Sequence, residues 1–173
     1  MNLDHVWAGW RRDYILEATE RERAGVIEHD VHTCVFCRLA SSGEPSEDNL
    51  VVWRGELAFV VMNAYPYTCG HVLVLPVRHA AALSDLTGAE SAELWSATQQ
   101  AVATMEAAYE PDGINMGANL GRAAGAGIPA HLHLHVLPRW SSDTNFMTSV
   151  AGARVLPETL PLSWKRLTDA WPR

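Results

Sequence analysis

Histidine alternates with an apolar residue three times running in residues 130–139, Ala-His-Leu-His-Leu-His-Val-Leu-Pro-Arg. A period of two does not suit a helix, and it is the signature of a strand with one buried face. His131, His133 and His135 therefore share a face, about 6–7 Å apart along the strand. Leu132, Leu134 and Val136 enter a core on the other face. Pro138 marks where ladder pairing is expected to end, because proline has no N–H to donate. Solubility alone does not require histidine on a polar face. Imidazole brings a nucleophilic nitrogen, a proton near neutral pH, or a metal ligand. A merely polar face is the plain alternative; the pattern favours a site.

The flanking sequence supplies a sheet and helices to hold that strand. Residues 50–54 and 57–62 form two strands around the turn Arg54-Gly55-Glu56. The run His71-Val-Leu-Val-Leu-Pro-Val77, apolar from Val72 on, predicts a central strand buried on both faces. Thr87-Gly-Ala-Glu90 is a capping box. Behind it Leu94, Thr98, Ala101, Met105 and Ala108 predict a helix over about 88–109, stopped by Pro111. A fourth strand is expected over 114–119, followed by a glycine-rich loop over 121–127 that feeds the histidine strand. Leu160, Trp164, Leu167 and Trp171 predict a last helix over 158–171, and Trp7, Trp10 and Tyr14 a short one over 7–19. The sum is an α+β chain with a mostly antiparallel sheet of about five strands, one long helix and a C-terminal helix. It is expected as a single domain over 1–173: an extension over 1–30, a core over 34–147 and a tail over 148–173.

Composition narrows the function. A net charge of -7 argues against a broad electrostatic grip on nucleic acid. No apolar run approaches the about 20 residues of a membrane span, and the N-terminus lacks an apolar signal core, so a cytoplasmic protein is expected. Two of three cysteines stand in Cys34-Val-Phe-Cys37. In the cytosol that spacing favours metal or redox chemistry over a structural disulfide. Zinc takes thiolate and imidazole in sets of four. With no second Cys-x-x-Cys, His131 and His79 are the candidates for the remaining ligands, and two reduced cysteines are the alternative. With His131 on a metal, His133 and His135 are left for chemistry. One can attack phosphorus while the other polarises or protonates the leaving oxygen. The glycine loop can offer backbone N–H groups to an anion.

The pattern His131-x-His-x-His135 with two apolar residues behind it resembles the histidine triad (HIT) family of nucleotide hydrolases and transferases. Phe59-Val-Val-Met-Asn63 and Gly70-His71-Val-Leu-Val-Leu-Pro76 resemble that family's nucleotide-binding strand and turn. Trp140-Ser-Ser-Asp-Thr-Asn-Phe-Met147 is most similar to its bacterial diadenosine tetraphosphate phosphorylase-like branch. The resemblance implies a HIT-like fold and nucleotidyl transfer to water or phosphate, on dinucleoside polyphosphates or nucleoside phosphoramidates. It implies His133 as the nucleophile that forms a nucleotidyl-histidine, with His135 on the phosphate or the leaving oxygen. Asn63 would bind ribose, and Asn119 phosphate or the leaving group. Structural zinc would be held by Cys34, Cys37, His79 and His131. A homodimer paired through the long helix and a strand is implied as well. Where many members carry Gly-Gln-Ser/Thr before the triad, this chain has Gly125-Ala126-Gly127, small residues that leave room for an inorganic phosphate acceptor. A non-catalytic, zinc-containing nucleotide-binding module is the alternative.

Overall fold

The computed structural model describes residues 31–141, 143 and 156–172. All of them belong to the compact unit made of Glu28–Asp143 and Leu156–Arg173. The helix expected over 7–19 lies outside the described residues. In chain order the elements are α1 (Val35–Ala40), β1 (Val51–Arg54), β2 (Ala58–Met62), β3 (Val72–Pro76), α2 (Gly88–Tyr109), β4 (Gly113–Gly117), β5 (Leu134–Arg139) and α3 (Leu160–Ala170). The five strands form one sheet in the order β1-β2-β3-β5-β4, with every neighbouring pair antiparallel.

The β1–β2 turn closes with Gly55 N–H on the Ala58 carbonyl at 2.9 Å. Glu93, reaching from α2, accepts the Leu57 and Ala58 N–H groups at 2.8 and 3.0 Å. Gly55 is required there, because a Cβ would strike both the Glu93 carboxylate and the Trp53 ring.

The sheet separates two apolar layers. On one face α2 lays Leu94, Ala97, Ala101 and Met105 against Val60, Met62, Val72, Val74, Leu132 and Val136. On the other, Phe59, Val61, Leu73 and Leu75 pack with Cys34 and Phe36. β3 is buried on both faces, as its unbroken apolar run predicts. Each large apolar side chain so enclosed contributes about 1.5–3 kcal/mol. The tail helix α3 closes the β1 end of the first layer. Leu167 is buried, Trp164 donates its indole N–H to the Val51 carbonyl at 2.7 Å, and Trp171 stacks on Trp53.

Two strands miss an expected end by two or more residues: β5 starts late and β4 stops early. β5 begins at Leu134, not at 130. The β3–β5 register pairs Val74 with Leu134, so two positions further it would set Leu132 against Pro76, which has no N–H. Leu132 N–H turns to the Ala80 carbonyl at 2.7 Å instead. β4 ends at Gly117, which pairs with His135, so Asn119 lies in the following loop. Pro138 does not end the ladder with β4, which continues to Arg139, but pairing with β3 stops at Val136. The Pro138 carbonyl accepts the Thr68 hydroxyl instead.

The α2 capping box is present. Thr87 Oγ1 accepts Glu90 N–H at 3.2 Å, and Glu90 Oε2 accepts Thr87 N–H at 2.8 Å. Arg78 donates to both Glu90 oxygens. The Arg78 guanidinium, then the Thr87 N–H, hold the Glu90 carboxyl at about 2, down from the usual 4.5. A depressed carboxylate adds stability that is complete above its unfolded pKa and is lost as pH falls through the folded value. Glu90→Gln keeps an acceptor for the cap and loses the charge facing Arg78. It is expected to lower the melting temperature at pH 7, with the gap to wild type closing as pH falls from 4.5 to about 2. Melting curves across that range check it; a gap independent of pH would assign the effect to packing.

Candidate active site and metal corner

Three separated segments meet at one end of β3. Cys34 is the N-cap of α1 and Cys37 lies within it, so the two thiols fall on one side of the helix. α1 is only six residues long, too short to hold itself. Arg54 of β1 fastens its far end by donating to the Leu39 carbonyl at 2.8 Å and to the Ala40 carbonyl. His79 follows β3, and His131 precedes β5. Cys37 Sγ lies 3.2 Å from His79 Nδ1 and 3.6 Å from His131 Nδ1, and Cys34 Sγ lies 3.5 Å from His131 Nδ1. All four ligand atoms fall within 4.8 Å of one another. A tetrahedral zinc with thiolate and imidazole ligands sets their atoms about 3.3–3.8 Å apart.

The His131 tautomer suits that role. Its Nε2 lies 2.9 Å from the Pro76 carbonyl, which can only accept, so Nε2 carries the proton and Nδ1 turns a lone pair toward the thiols. Ligating histidines are commonly held by such an outer hydrogen bond. Burial, reinforced by the neighbouring His79 and His133, lowers His131 to about 4, so the ring is neutral. Burial, then the adjacent Cys34, pushes the Cys37 thiol up to about 11. A bound cation would supply the positive charge that this thiolate lacks.

The other two triad histidines differ from the first. His133 donates Nδ1–H to the His131 carbonyl at 2.8 Å, again because a carbonyl only accepts. Its Nε2 is left with a lone pair. Burial lowers its pKa and keeps it neutral. Phe36 of α1 packs on its ring at 5.3 Å. His135 Nδ1 lies 3.0 Å from Nε2 of His71. The Tyr67 N–H donates to His71 Nδ1 at 3.1 Å, and the Asn63 amide nitrogen approaches that atom at 3.4 Å. His71 Nδ1 is thus an acceptor, Nε2 carries the proton and donates to His135 Nδ1, and His135 Nε2 carries its own proton. That Nε2–H is buried and has no partner among the described residues. Burial, then His133, lowers His135 to about 4. The three imidazoles therefore present a lone pair to a metal, a lone pair for attack, and an N–H for an oxyanion.

Sequence reasoning missed His71, which is fully buried and touches His135. The available signal was a histidine directly behind Gly70 at the head of an apolar strand. Asn63 directly follows β2, and its Oδ1 also accepts the Tyr65 N–H at 3.0 Å. Asn119, Gly125, Ala126 and Gly127 belong to the loop between β4 and β5. There a short 3-10 turn, Arg122–Ala124, lies between Gly121 and Gly125, both at positive φ. Ala126 is buried.

The alternating histidines, their opposed hydrogen-bond polarities and the five-stranded sheet define a class: this chain belongs to the HIT family, whose domain matches residues 44–142. It is 37% identical to the AP-4-A phosphorylase of Mycobacterium tuberculosis over 179 residues, covering 99% of this chain and 86% of that protein. It is 36% identical to the bis(5'-adenosyl)-triphosphatase of Dictyostelium discoideum over 93 residues, covering 54% of this chain and 62% of that protein. Among solved structures, a Zn-bound histidine triad family protein from Mycobacterium smegmatis superposes with a TM-score of 0.65 at 28% identity, covering 82% of this chain and 94% of that one.

Proposed function

We propose that this chain is a nucleotidyl-transferring enzyme that cleaves dinucleoside polyphosphates through a covalent nucleotidyl-histidine, with inorganic phosphate as acceptor. The observation that carries the reading is the hydrogen-bond polarity of the triad: Nε2 of His133 has a lone pair while Nε2 of His135 has a proton. His133 Nε2 attacks the α-phosphorus, and the bond to the leaving phosphate oxygen breaks with its electron pair on that oxygen. His135 Nε2–H hydrogen-bonds to the departing oxygen. The imidazolium formed at His133 keeps Nδ1–H on the His131 carbonyl, which stabilises its charge. Phosphate then attacks the same phosphorus and releases His133.

Asn63 serves the ribose in this reading. Asn119 and the Gly125-Ala126-Gly127 segment face the phosphates, whose small side chains leave space for the acceptor. Cys34, Cys37, His79 and His131 hold a structural zinc. Its chemistry is to bind thiolate and imidazole and so tie α1 to the approaches of β3 and β5. The chain acts in the cytoplasm as a homodimer. β4, an exposed sheet edge, and the half-exposed Trp95 of α2 supply the surface. The 37% identity with a named AP-4-A phosphorylase supports the substrate class and the acceptor.

Incubation with diadenosine tetraphosphate separates the acceptors. Phosphate as acceptor yields ADP and ATP, and water yields AMP and ATP. The expected result is ADP formation that depends on added phosphate. AMP and ATP with no ADP would make the chain a hydrolase. Nucleotide binding with neither products nor a covalent adduct in a quenched sample would reduce it to a binding module.

A further inference from the structure

Tyr67 stands in the β2–β3 loop, in neither the triad nor the metal corner. Its ring lies 5.9 Å from the His135 ring at 13°, a stacked arrangement, and 4.7 Å from the His71 ring. Its main-chain N–H fixes the acceptor nitrogen of His71. His71 is fully buried although Tyr67 itself is 44% exposed, so the tyrosine forms the outer wall of the histidine pair. The 3.0 Å bond between His71 and His135 decides which nitrogen of His135 carries a proton. A hydrogen bond kept from water is stronger electrostatically than one that water can replace.

We propose that Tyr67 is a positioning residue whose ring keeps the His71–His135 bond dry and aligned, so that His135 holds its Nε2–H on the departing oxygen. The inference rests on the nucleotidyl transfer proposed above. Without the ring, water reaches the pair and the His135 imidazole is free to turn. The oxygen then leaves without its donor. The first step is otherwise unchanged: His133 Nε2 bonds to phosphorus, the phosphorus–oxygen bond breaks, and solvent protonates the released group.

The cost must therefore grow with the basicity of the leaving oxygen. Aryl esters of AMP, from 4-nitrophenyl through 4-chlorophenyl to phenyl, measure this through kcat/KM. Tyr67→Ala is expected to leave the nitrophenyl ester within about twofold of wild type and to slow the phenyl ester about tenfold or more, the size of a lost hydrogen bond to a charged oxygen. Tyr67→Phe, which retains the ring, is expected to follow the wild-type slope. If the alanine variant does not fold, Tyr67→Thr carries the same expectation, since it too leaves the His71–His135 pair without its covering ring. Equal losses on every ester would make Tyr67 merely structural and overturn the proposal, as would a phenylalanine variant as steep as the alanine one. Wild-type protein that turns over no ester and no dinucleotide would overturn the nucleotidyl-transfer reading first, and the role of Tyr67 with it.

Discussion

His133→Ala is expected to abolish turnover, lowering kcat by at least about 10³-fold, the scale seen when a covalent nucleophile is removed. No neighbour can replace its lone pair. His131 turns Nδ1 toward the two thiols and spends Nε2–H on Pro76. His135 presents an N–H, and its other nitrogen is occupied by His71. The substitution leaves the ladder intact, since His133 precedes β5 and bonds through its side chain to the His131 carbonyl. It opens a space beside Phe36, so the melting temperature falls modestly. The decisive measurement pairs kcat on diadenosine tetraphosphate with circular dichroism and a mass spectrum of the quenched enzyme. Wild type is expected to carry an added nucleotidyl group that the variant lacks. A folded alanine variant retaining most of the rate would sink the covalent mechanism.

The second large effect is expected on metal removal. The four candidate ligands come from α1 and from the segments after β3 and before β5, and Cys34 is 97 residues from His131. A metal held a thousandfold above its dissociation constant stabilises the native state by about 4 kcal/mol. Each kcal/mol moves the melting temperature of a chain this size by about 2–4 °C. Chelation, or Cys37→Ser, is therefore expected to lower it by about 10 °C, and the serine variant to gain little further sensitivity to chelator. The effect on kcat is expected to stay below about tenfold, because the group that orients His133 is a main-chain carbonyl and not a ligand atom. Emission spectrometry of purified protein gives the metal and its stoichiometry. No bound metal, together with a melting temperature indifferent to chelator, would refute the metal corner.

Local periodicity made much of this fold legible. Thr87 and Glu90 announced the start of α2, and Leu94 to Met105 gave the face it buries. The period of two sent Leu132, Leu134 and Val136 into a core opposite the histidines, and the layer under α2 is that core. Strand ends were not legible, because they depend on the partner. Pro76, more than fifty positions before Leu132, decides where β5 begins. Much the same holds for the site. Cys34 and Cys37 identify themselves by spacing, but nothing local ties His79 to them, and only family resemblance fixed the set. His71 escaped because its role arises from a contact with His135, 64 residues away. Hydrogen-bond polarity, which separates the three triad histidines chemically, is set by the Pro76 and His131 carbonyls and by the Tyr67 N–H. A one-dimensional pattern of identical residues carries no trace of it.

His131 has a consequence for how such chains can diverge. Its imidazole faces the thiols, but what it offers His133 is the carbonyl every residue possesses. A lineage can therefore lose the cysteines, or exchange the residue at 131, and still hold the middle histidine in the same tautomer. On the metal reading proposed above, descendants without the four-residue corner would face a problem of thermal endurance, which better packing around α1 can solve. Their chemistry passes through the backbone and is untouched by the exchange.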